Sequence, residues 1–441
     1  MSLVLDVRLD GYDHPIGTMA RGESGAVAFA YHIEYLRRSD AIALSVSLPL
    51  EGDGFADQLT RAFFDNLLPE RDTARADVIA RYDLANDDIA GILFHMGKDC
   101  AGAVSVLPEG APPTKVPGNL ETDYDMLSDG RLRAIVAALH ERRPLPAEVM
   151  DPSPLAGVQS KIALARLPGG WLAEPKAGTG APTTHILKVP DTRHRRDAEH
   201  EFQAMELSRQ SGFSTARVET LQVGGVEVLL VERFDRATDS QGRIVRRHQE
   251  DFCQALGLPA RLKYERRGEP GRRYDAVAIG KLLGRMTEPA GERLRFAQST
   301  IFDLLIGNVD GHAKNFSLFH LPGNRLVTTP RYDVMPTMLD RQTTDEFAFS
   351  VGGANQMSEL SWERLEGFLA DLGFASAAGR RRIARAIFPG IAERLDGQIG
   401  GLGDQGFKNF ADLIATNMRT FCTRLDLPVP QQAAGRDTFV R

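Results

Sequence analysis

Cysteine is scarce in this chain. Three cysteines, Cys100, Cys253 and Cys422, occur among 441 residues, far apart and without C-x-x-C spacing. The ten histidines include no H-x-x-x-H pair. The sequence therefore excludes a disulfide-rich secreted scaffold, and a zinc site is not expected. A reducing compartment is the simplest setting for such a chain.

Long apolar runs are missing as well. No segment approaches the roughly 18 apolar residues that a membrane span requires. Residues 1–17 alternate apolar and polar side chains, whereas a secretory signal needs a continuous apolar stretch. Charged residues make up 25% of the chain and hydrophobic residues 42%, as in folded globular proteins. We expect a cytoplasmic protein with no membrane contact.

The chain also has no excess of positive charge. It carries 53 Lys and Arg against 59 Asp and Glu, a formal net charge of −6. The chain as a whole therefore lacks the positive electrostatic potential that favours binding of nucleic acid. Two short basic clusters, residues 193–196 and 380–382, remain open to two interpretations. Such clusters are usually solvated faces, and the alternative is a local contact with RNA or DNA.

The N-terminal part reads as an α+β subdomain over residues 1–110. Apolar residues alternate from Leu3 to Leu9, which predicts a strand that enters a hairpin. Helical spacing over residues 59–82 is broken by Pro69 and predicts two helices. A Pro- and Gly-rich stretch, residues 107–118, is typical of a linker. At roughly one domain per 150 residues, the length allows one or two further domains.

The rest of the chain changes character once. Residues 147–250 are strand-rich, with hairpins predicted at Gly169-Gly170 and Gly224-Gly225 and a short strand at 184–190 that a helix follows. Residues 251–430 contain long helical segments. We expect an α+β protein in which a strand-rich lobe precedes a helical lobe.

The sharpest local signal is the segment Asp310-Gly311-His312-Ala313-Lys314-Asn315, which follows an apolar helix. Protein kinases separate a catalytic Asp from a metal-binding Asn by the same five positions, because a short loop must aim both groups at the reacting centre. An isolated segment of this kind is more often an ordinary turn. Its context therefore decides the interpretation.

Two further residues stand where a kinase needs them. Asp333 follows 18 positions after Asn315 and could hold a metal ion, or it could cap the next helix. Lys188 lies in a predicted strand, where it could reach phosphates and pair with Glu201 or Glu199 of the next helix, or it could extend to solvent. No G-x-G-x-x-G precedes these residues. Residues 155–161, with one glycine, stand in its place and could cradle phosphates or form a plain turn. The order of these features is nevertheless the order of a bilobal protein kinase.

Together the motifs resemble the HipA family of serine/threonine kinase toxins. The matching segments are SLPL at 47–50, FFDNLLPE at 63–70, GAVSVLPE at 102–109, LAGVQSK at 155–161, THILKVP at 184–190, VERFDR at 231–236, QEDFCQ at 249–254, DGHAKN at 310–315 and YD at 332–333. They cover nearly the whole chain. The resemblance implies a kinase-like fold and transfer of the ATP γ-phosphoryl group to a protein, usually an aminoacyl-tRNA synthetase such as glutamyl-tRNA synthetase, which arrests growth and causes persistence. It also implies a HipB-like DNA-binding antitoxin, contact with DNA mainly through that antitoxin, and a possible homodimer in the antitoxin complex.

The resemblance also assigns roles to individual residues. Asp310 would be the catalytic base, and Asn315 and Asp333 would hold Mg²⁺. The ATP-binding set would comprise Ala156, Gly157, Val158, Gln159, Ser160 and Lys161 of the phosphate loop, Lys188 at the phosphates, Glu232 and Phe234 around adenine, and His312, Lys314, Asn315 and Asp333 at the catalytic loop.

One position departs from the family pattern. The family has an autophosphorylated Ser directly before the phosphate loop, where this chain has Pro154. Ser153 lies one residue earlier between two prolines, so its backbone is confined to extended shapes and its hydroxyl is shifted. Ser153 is therefore the candidate for autophosphorylation and Ser160 the next. Two function classes stay open: an active serine/threonine kinase, and a catalytically silent ATP-binding co-repressor that acts with a DNA-binding antitoxin.

Overall fold

The computed structural model describes residues 2–70, 73–146, 149 and 160–440. The chain divides into two compact units. The first comprises residues 1–199, 216–260 and 317–325, and the second comprises residues 200–215, 261–316 and 326–441. The domain boundaries drawn from the sequence stay predictions. In the part of the chain that the structure describes, no helix is both long and apolar enough to cross a bilayer.

The first unit begins with a four-stranded antiparallel sheet and the helices that cover it. Its elements are β1 (Leu3–Leu9), β2 (Gly17–Arg21), β3 (Val27–Tyr31), α1 (Ile33–Leu36), α2 (Asp57–Asp65), α3 (Thr73–Tyr82), α4 (Ile89–Met96) and β4 (Val104–Pro108), with the strand order β3-β2-β1-β4. Leu5, Val7 and Leu9 of β1 are fully buried, as the alternation predicts. Pro69 separates α2 from α3, which confirms the predicted break.

The predicted linker begins later than residue 107. Leu107 and Pro108 still belong to β4, where they pair with Asp6 and Leu5 of β1. Composition alone gave the earlier boundary because proline is common in linkers, but at the end of a strand a proline loses no ladder hydrogen bond that the sheet needs.

A six-stranded sheet forms the strand-rich part of the first unit. Its order is β5-β7-β6-β8-β10-β9, built from β5 (Tyr124–Met126), β6 (Lys161–Arg166), β7 (Leu172–Pro175), β8 (His185–Lys188), β9 (Val218–Val223) and β10 (Val226–Glu232), with α5 (Asp129–His140) after β5 and α6 (Asp197–Gln210) after β8. Both predicted hairpins are present, since β6 pairs with β7 and β9 with β10. The sequence pattern missed β5, which is three residues long.

Short elements complete the first unit: β11 (Arg236–Thr238), β12 (Ile244–Arg246), β13 (Gln249–Asp251), α7 (Phe252–Ala255) and β14 (Ser317–Leu321). Arg246 is buried and binds both Asp10 at 2.6 Å and Asp99 at 3.1 Å. Asp235, which lies just after β10, accepts a 3.0 Å hydrogen bond from the Gly102 N–H. These buried contacts fix residues 99–102 of the N-terminal subdomain against the segment that follows β10.

The second unit is mainly helical. Besides most of α6 it contains α8 (Ala276–Leu283), α9 (Pro289–Ile306), α10 (Trp362–Asp371), α11 (Ala377–Asp404), α12 (Lys408–Leu425) and α13 (Gln431–Ala434), and β15 (Arg325–Thr328) leads into it. These helices agree with the helical segments expected over residues 251–430. Helices α9 and α12 carry buried apolar faces that form the centre of this unit.

Candidate active site

The Asp310 loop starts where α9 stops. Gly307 ends this helix with φ +77°, a left-handed conformation in which its N–H bonds back to the carbonyls of the last turn. A side chain at this position would lie 2.7 Å from Leu413 of α12. The backbone angle therefore favours glycine, and a larger residue would also have to displace the end of the Leu413 side chain. The chain leaves the helix and turns at once into the loop.

Polar side chains hold the loop in one shape. The Asn315 amide nitrogen donates a 2.9 Å hydrogen bond to the Asp310 carbonyl oxygen. The Asp310 N–H in turn donates to Oδ1 of Asn308 at 3.2 Å. A short helical turn, Ala313–Asn315, closes the loop. The structure thus brings Asp310 and Asn315 together, with the Asn315 Oδ1 left as the amide atom that could bind a cation.

Tyr264 is a member of this site that the sequence analysis missed. Its hydroxyl donates a 2.6 Å hydrogen bond to Oδ1 of Asp310. Burial, reinforced by the negative charge of Asp310, raises the pKa of Tyr264. The phenol therefore stays protonated and remains a donor. The nearest sequence signal is Lys263-Tyr264-Glu265-Arg266-Arg267, a basic run in an acidic chain.

The segment around Tyr264 also supports the loop through its backbone and ring. The Ala313 N–H donates to the Lys263 carbonyl at 3.1 Å. The rings of Tyr264 and His312 meet edge to face at 5.2 Å. At Ala313 the loop is therefore attached to the segment around Lys263. Its geometry does not depend on local turn propensity alone.

A buried ion pair lies under the same loop. Arg331 binds the Asp303 carboxylate, and its guanidinium group lies 5.0 Å from the ring centres of both Phe213 and Phe302. Asp303 also accepts a 3.1 Å hydrogen bond from the side chain of Asn308. Burial raises the pKa of Asp303, although Arg331 acts in the opposite direction. The result is a polar chain from Arg331 through Asp303 and Asn308 to the backbone of Asp310.

Asp333 follows two residues after Arg331. It has φ +57°, a left-handed conformation uncommon for residues other than glycine and enriched at functional sites. It does not cap a helix, because the next helical turn starts at Thr337. The hydroxyl of its neighbour Tyr332 donates a 2.8 Å hydrogen bond to the Lys314 carbonyl, which ties the Asp333 segment to the loop. His312 and Lys314, the other predicted loop residues, are buried there.

The strand-rich part carries the other predicted residues that the structure describes. Lys161 of β6 and Lys188 of β8 occupy directly opposed positions on neighbouring strands. Both lysines belong to the set assigned to ATP binding, and an ammonium group is a common ligand of phosphate oxygens. The Ser160 carbonyl accepts a 2.9 Å hydrogen bond from the Val189 N–H. Ser160, Lys161 and Lys188 therefore lie close together.

The predicted adenine-binding residues lie at the end of β10 and just beyond it. Glu232 is exposed at the last position of β10, and Phe234 packs its ring edge-on against Phe319 at 5.8 Å. Of the two glutamates considered as partners of Lys188, Glu199 binds Arg196 at 2.8 Å and Glu201 is buried in α6. Ser153 and the phosphate-loop residues Ala156, Gly157, Val158 and Gln159 lie outside the described residues.

The donor set suits magnesium carried by a nucleotide. Across the described ranges, no group of three or more His, Cys, Asp or Glu side chains could hold a metal by itself. One amide oxygen and one carboxylate, from Asn315 and Asp333, are the oxygen ligands Mg²⁺ accepts when phosphates supply the remainder. The residues present therefore fit Mg²⁺ bound together with ATP.

Comparisons with known proteins identify the family and the fold. The family models described as HipA N-terminal domain and HipA-like C-terminal domain match residues 5–107 and 153–399. The kinase-like protein Y4mE of Sinorhizobium fredii is 33% identical over 385 residues, which is 87% of this chain and 89% of that protein. The serine/threonine-protein kinase toxin HipA of Shewanella oneidensis is 29% identical over 387 residues, which is 84% of this chain and 85% of that protein. A Shewanella oneidensis MR-1 structure of HipA with HipB and operator DNA matches with TM-score 0.77 and 25% identity, covering 96% of this chain and 97% of that one.

Proposed function

Because this chain belongs to the HipA family of serine/threonine-protein kinase toxins, we propose that it transfers the γ-phosphoryl group of ATP to a protein serine or threonine at the Asp310 loop. The family and the kinase-like α+β fold expected from the sequence are both confirmed. The catalytic residues and the protein substrate are the parts proposed here.

One observation carries the proposal. The Asp310 carboxylate, the Asn315 amide and the Tyr264 hydroxyl form a connected group on a loop fixed from two sides. In the proposed step the bond between the γ-phosphorus and the β,γ-bridging oxygen breaks and a bond to the acceptor hydroxyl oxygen forms. ADP leaves, and the hydroxyl proton passes to Asp310. Positioning and charge neutralisation do most of the work in such a transfer.

The remaining predicted residues receive supporting roles. Asn315 and Asp333 would hold Mg²⁺, which when bound neutralises the phosphate oxygens. Lys188 and Lys161 would bind phosphate oxygens, and residues 156–161 would form the phosphate loop. Glu232 and Phe234 would contact adenine, and His312 and Lys314 would line the reacting centre. Ser153 remains the candidate for autophosphorylation, to be tested by phosphopeptide mapping.

The biological role is proposed from the relatives. The Shewanella oneidensis structure contains HipA, HipB and operator DNA, which supports a HipB-like antitoxin as partner and contact with DNA mainly through it. We propose an aminoacyl-tRNA synthetase as substrate, growth arrest and persistence as outcome, and a homodimer within the antitoxin complex. Cys100, Cys253 and Cys422 are buried and form no disulfide in the described part of the chain, which supports action in the reducing cytoplasm.

Phosphoproteomics in the native host tests this function. The wild-type chain is induced beside Asp310→Asn, with Asp404→Asn as a matched control at an exposed position on α11. Growth arrest and a new phosphosite on a synthetase are expected with the wild type and the control. Both should disappear with Asp310→Asn. Arrest by all three proteins would instead favour the co-repressor role, and sites only on proteins of other classes would overturn the substrate assignment.

A further inference from the structure

The segment beside the catalytic loop has a charge opposite to that of the whole chain. Residues 261–273 contain six cationic side chains and two carboxylates, while the full chain has a net charge of −6. A surface that is only solvated usually mixes positive and negative side chains, so this local excess of positive charge is unusual.

Both carboxylates of this segment are already engaged. Glu265 accepts hydrogen bonds from Ser350, one of them from its N–H, and Glu269 binds Arg261 and Arg272. Arg266 and Arg267 are exposed. No carboxylate among the described residues forms an ion pair with either of them. Their charge is therefore available to a partner.

The arginine pair is held in place and lies close to Asp310. The short helical turn Glu265–Arg267 is anchored by Glu265, and the two guanidinium groups lie 4.3 and 5.4 Å from the centre of the Tyr264 ring. The hydroxyl of that ring binds Asp310. Arg266 is thus within about 10 Å of the Asp310 carboxylate, the length of about three residues of extended polypeptide.

We propose that Arg266 and Arg267 form a docking site for an acidic acceptor segment, one with Asp or Glu within about three residues of the phosphorylated serine or threonine. The proposal rests on the kinase function proposed above. An acceptor hydroxyl that reaches Asp310 brings its flanking residues within reach of the two arginines. Exposed charge pairs contribute little each, but complementary charge selects partners and accelerates encounter.

The experiment compares acceptor sites in a host extract. Purified full-length wild type, Arg266→Glu/Arg267→Glu, Arg381→Glu/Arg382→Glu and Asp310→Asn are each incubated with the extract and ATP, and phosphosites are mapped by mass spectrometry. The Arg381/Arg382 pair on α11 is exposed and receives the same charge change. Arg267→Glu alone is included because it leaves the closer arginine on Tyr264 in place.

Wild type and the α11 control are expected to phosphorylate sites enriched in Asp and Glu within three residues. The enrichment should be lost in Arg266→Glu/Arg267→Glu and weakened in Arg267→Glu. On a synthetic peptide of the best site, the double variant should raise KM about tenfold, an effect that shrinks as salt rises.

Other outcomes overturn the proposal in distinguishable ways. Sites above the Asp310→Asn background that lack acidic flanks, or that the arginine variants leave unchanged, remove the docking site and leave the kinase function standing. Sites that vanish after ribonuclease treatment of the extract would show that the arginines serve RNA instead. If no phosphosite exceeds that background, the proposed kinase function itself is overturned.

Discussion

The Tyr264 hydroxyl and the Asp310 carboxylate are joined by a 2.6 Å hydrogen bond. Since hydrogen bonds to charged groups are the stronger ones, removal of this donor should free the carboxylate to rotate. We expect Tyr264→Phe to lower kcat about tenfold while KM for ATP stays unchanged. Tyr82→Phe, which alters an exposed tyrosine of α3, is the control. A wild-type kcat in Tyr264→Phe would show that Asp310 is positioned without the phenol.

Asn315 is expected to serve two purposes through one side chain. Its nitrogen holds the Asp310 carbonyl, and its oxygen is assigned to Mg²⁺. Asn315→Asp keeps an oxygen ligand and loses the donor, so its rate should fall about tenfold. Asn315→Ala loses both and should fall about a hundredfold, with a higher Mg²⁺ requirement. A Mg²⁺ titration of phosphoryl transfer checks this, and identical titration curves for the wild type and the alanine variant would refute the metal assignment.

The ion pair beneath the loop should control stability. Arg331→Met leaves the Asp303 carboxylate buried without its cation, which we expect to cost about 3 kcal/mol of unfolding free energy. Burial already raises the pKa of Asp303, so the folded state takes up a proton before the unfolded state as pH falls. The loss of unfolding free energy caused by Arg331→Met should therefore be smaller at pH 5 than at pH 7. Denaturant titrations at both pH values test this, with Asp303→Asn/Arg331→Met as the variant expected to recover stability at pH 7.

His248 should make the first unit sensitive to acid. Its Nε2 lies 2.8 Å from the Leu44 carbonyl, and burial, with the neighbouring His320, lowers the pKa of His248 to about 3. The unfolded state therefore binds the proton first, and stability is lost as pH falls below about 6.5, by up to about 1.4 kcal/mol per pH unit. His248→Gln keeps an N–H donor at about the place of Nε2 and cannot titrate in this range. Its unfolding free energy should fall less than that of the wild type between pH 7 and 5, and parallel losses would contradict the assignment.

Local signals in the sequence were enough for much of the fold. The glycine pairs of two hairpins and the alternation of β1 predicted strands correctly, because a turn type and a buried face depend on neighbouring residues. The short strand β5 was missed, since three residues carry no periodicity and its pairing with β7 depends on a distant segment.

In the candidate site, too, some residues could be predicted from the sequence and others could not. The order of Lys188, Asp310, Asn315 and Asp333 could be read from the sequence, and so could the family. Tyr264 lies 46 positions before Asp310 and contacts it only through tertiary packing. Likewise, the pairing of Arg331 with Asp303 depends on the folding of the chain around α9, and no spacing rule links the two residues.

Transfer of labelled phosphate from γ-³²P-ATP by the purified chain tests the central claim most directly. Acid hydrolysis of the labelled acceptor protein should release phosphoserine or phosphothreonine in reactions with the wild type and Asp404→Asn. Asp310→Asn should still bind ATP and Mg²⁺ but transfer phosphate at least about a hundredfold more slowly, which is the lower end of the usual effect of losing a general base. Equal labelling by wild type and Asp310→Asn would contradict the assignment of this loop as the catalytic centre.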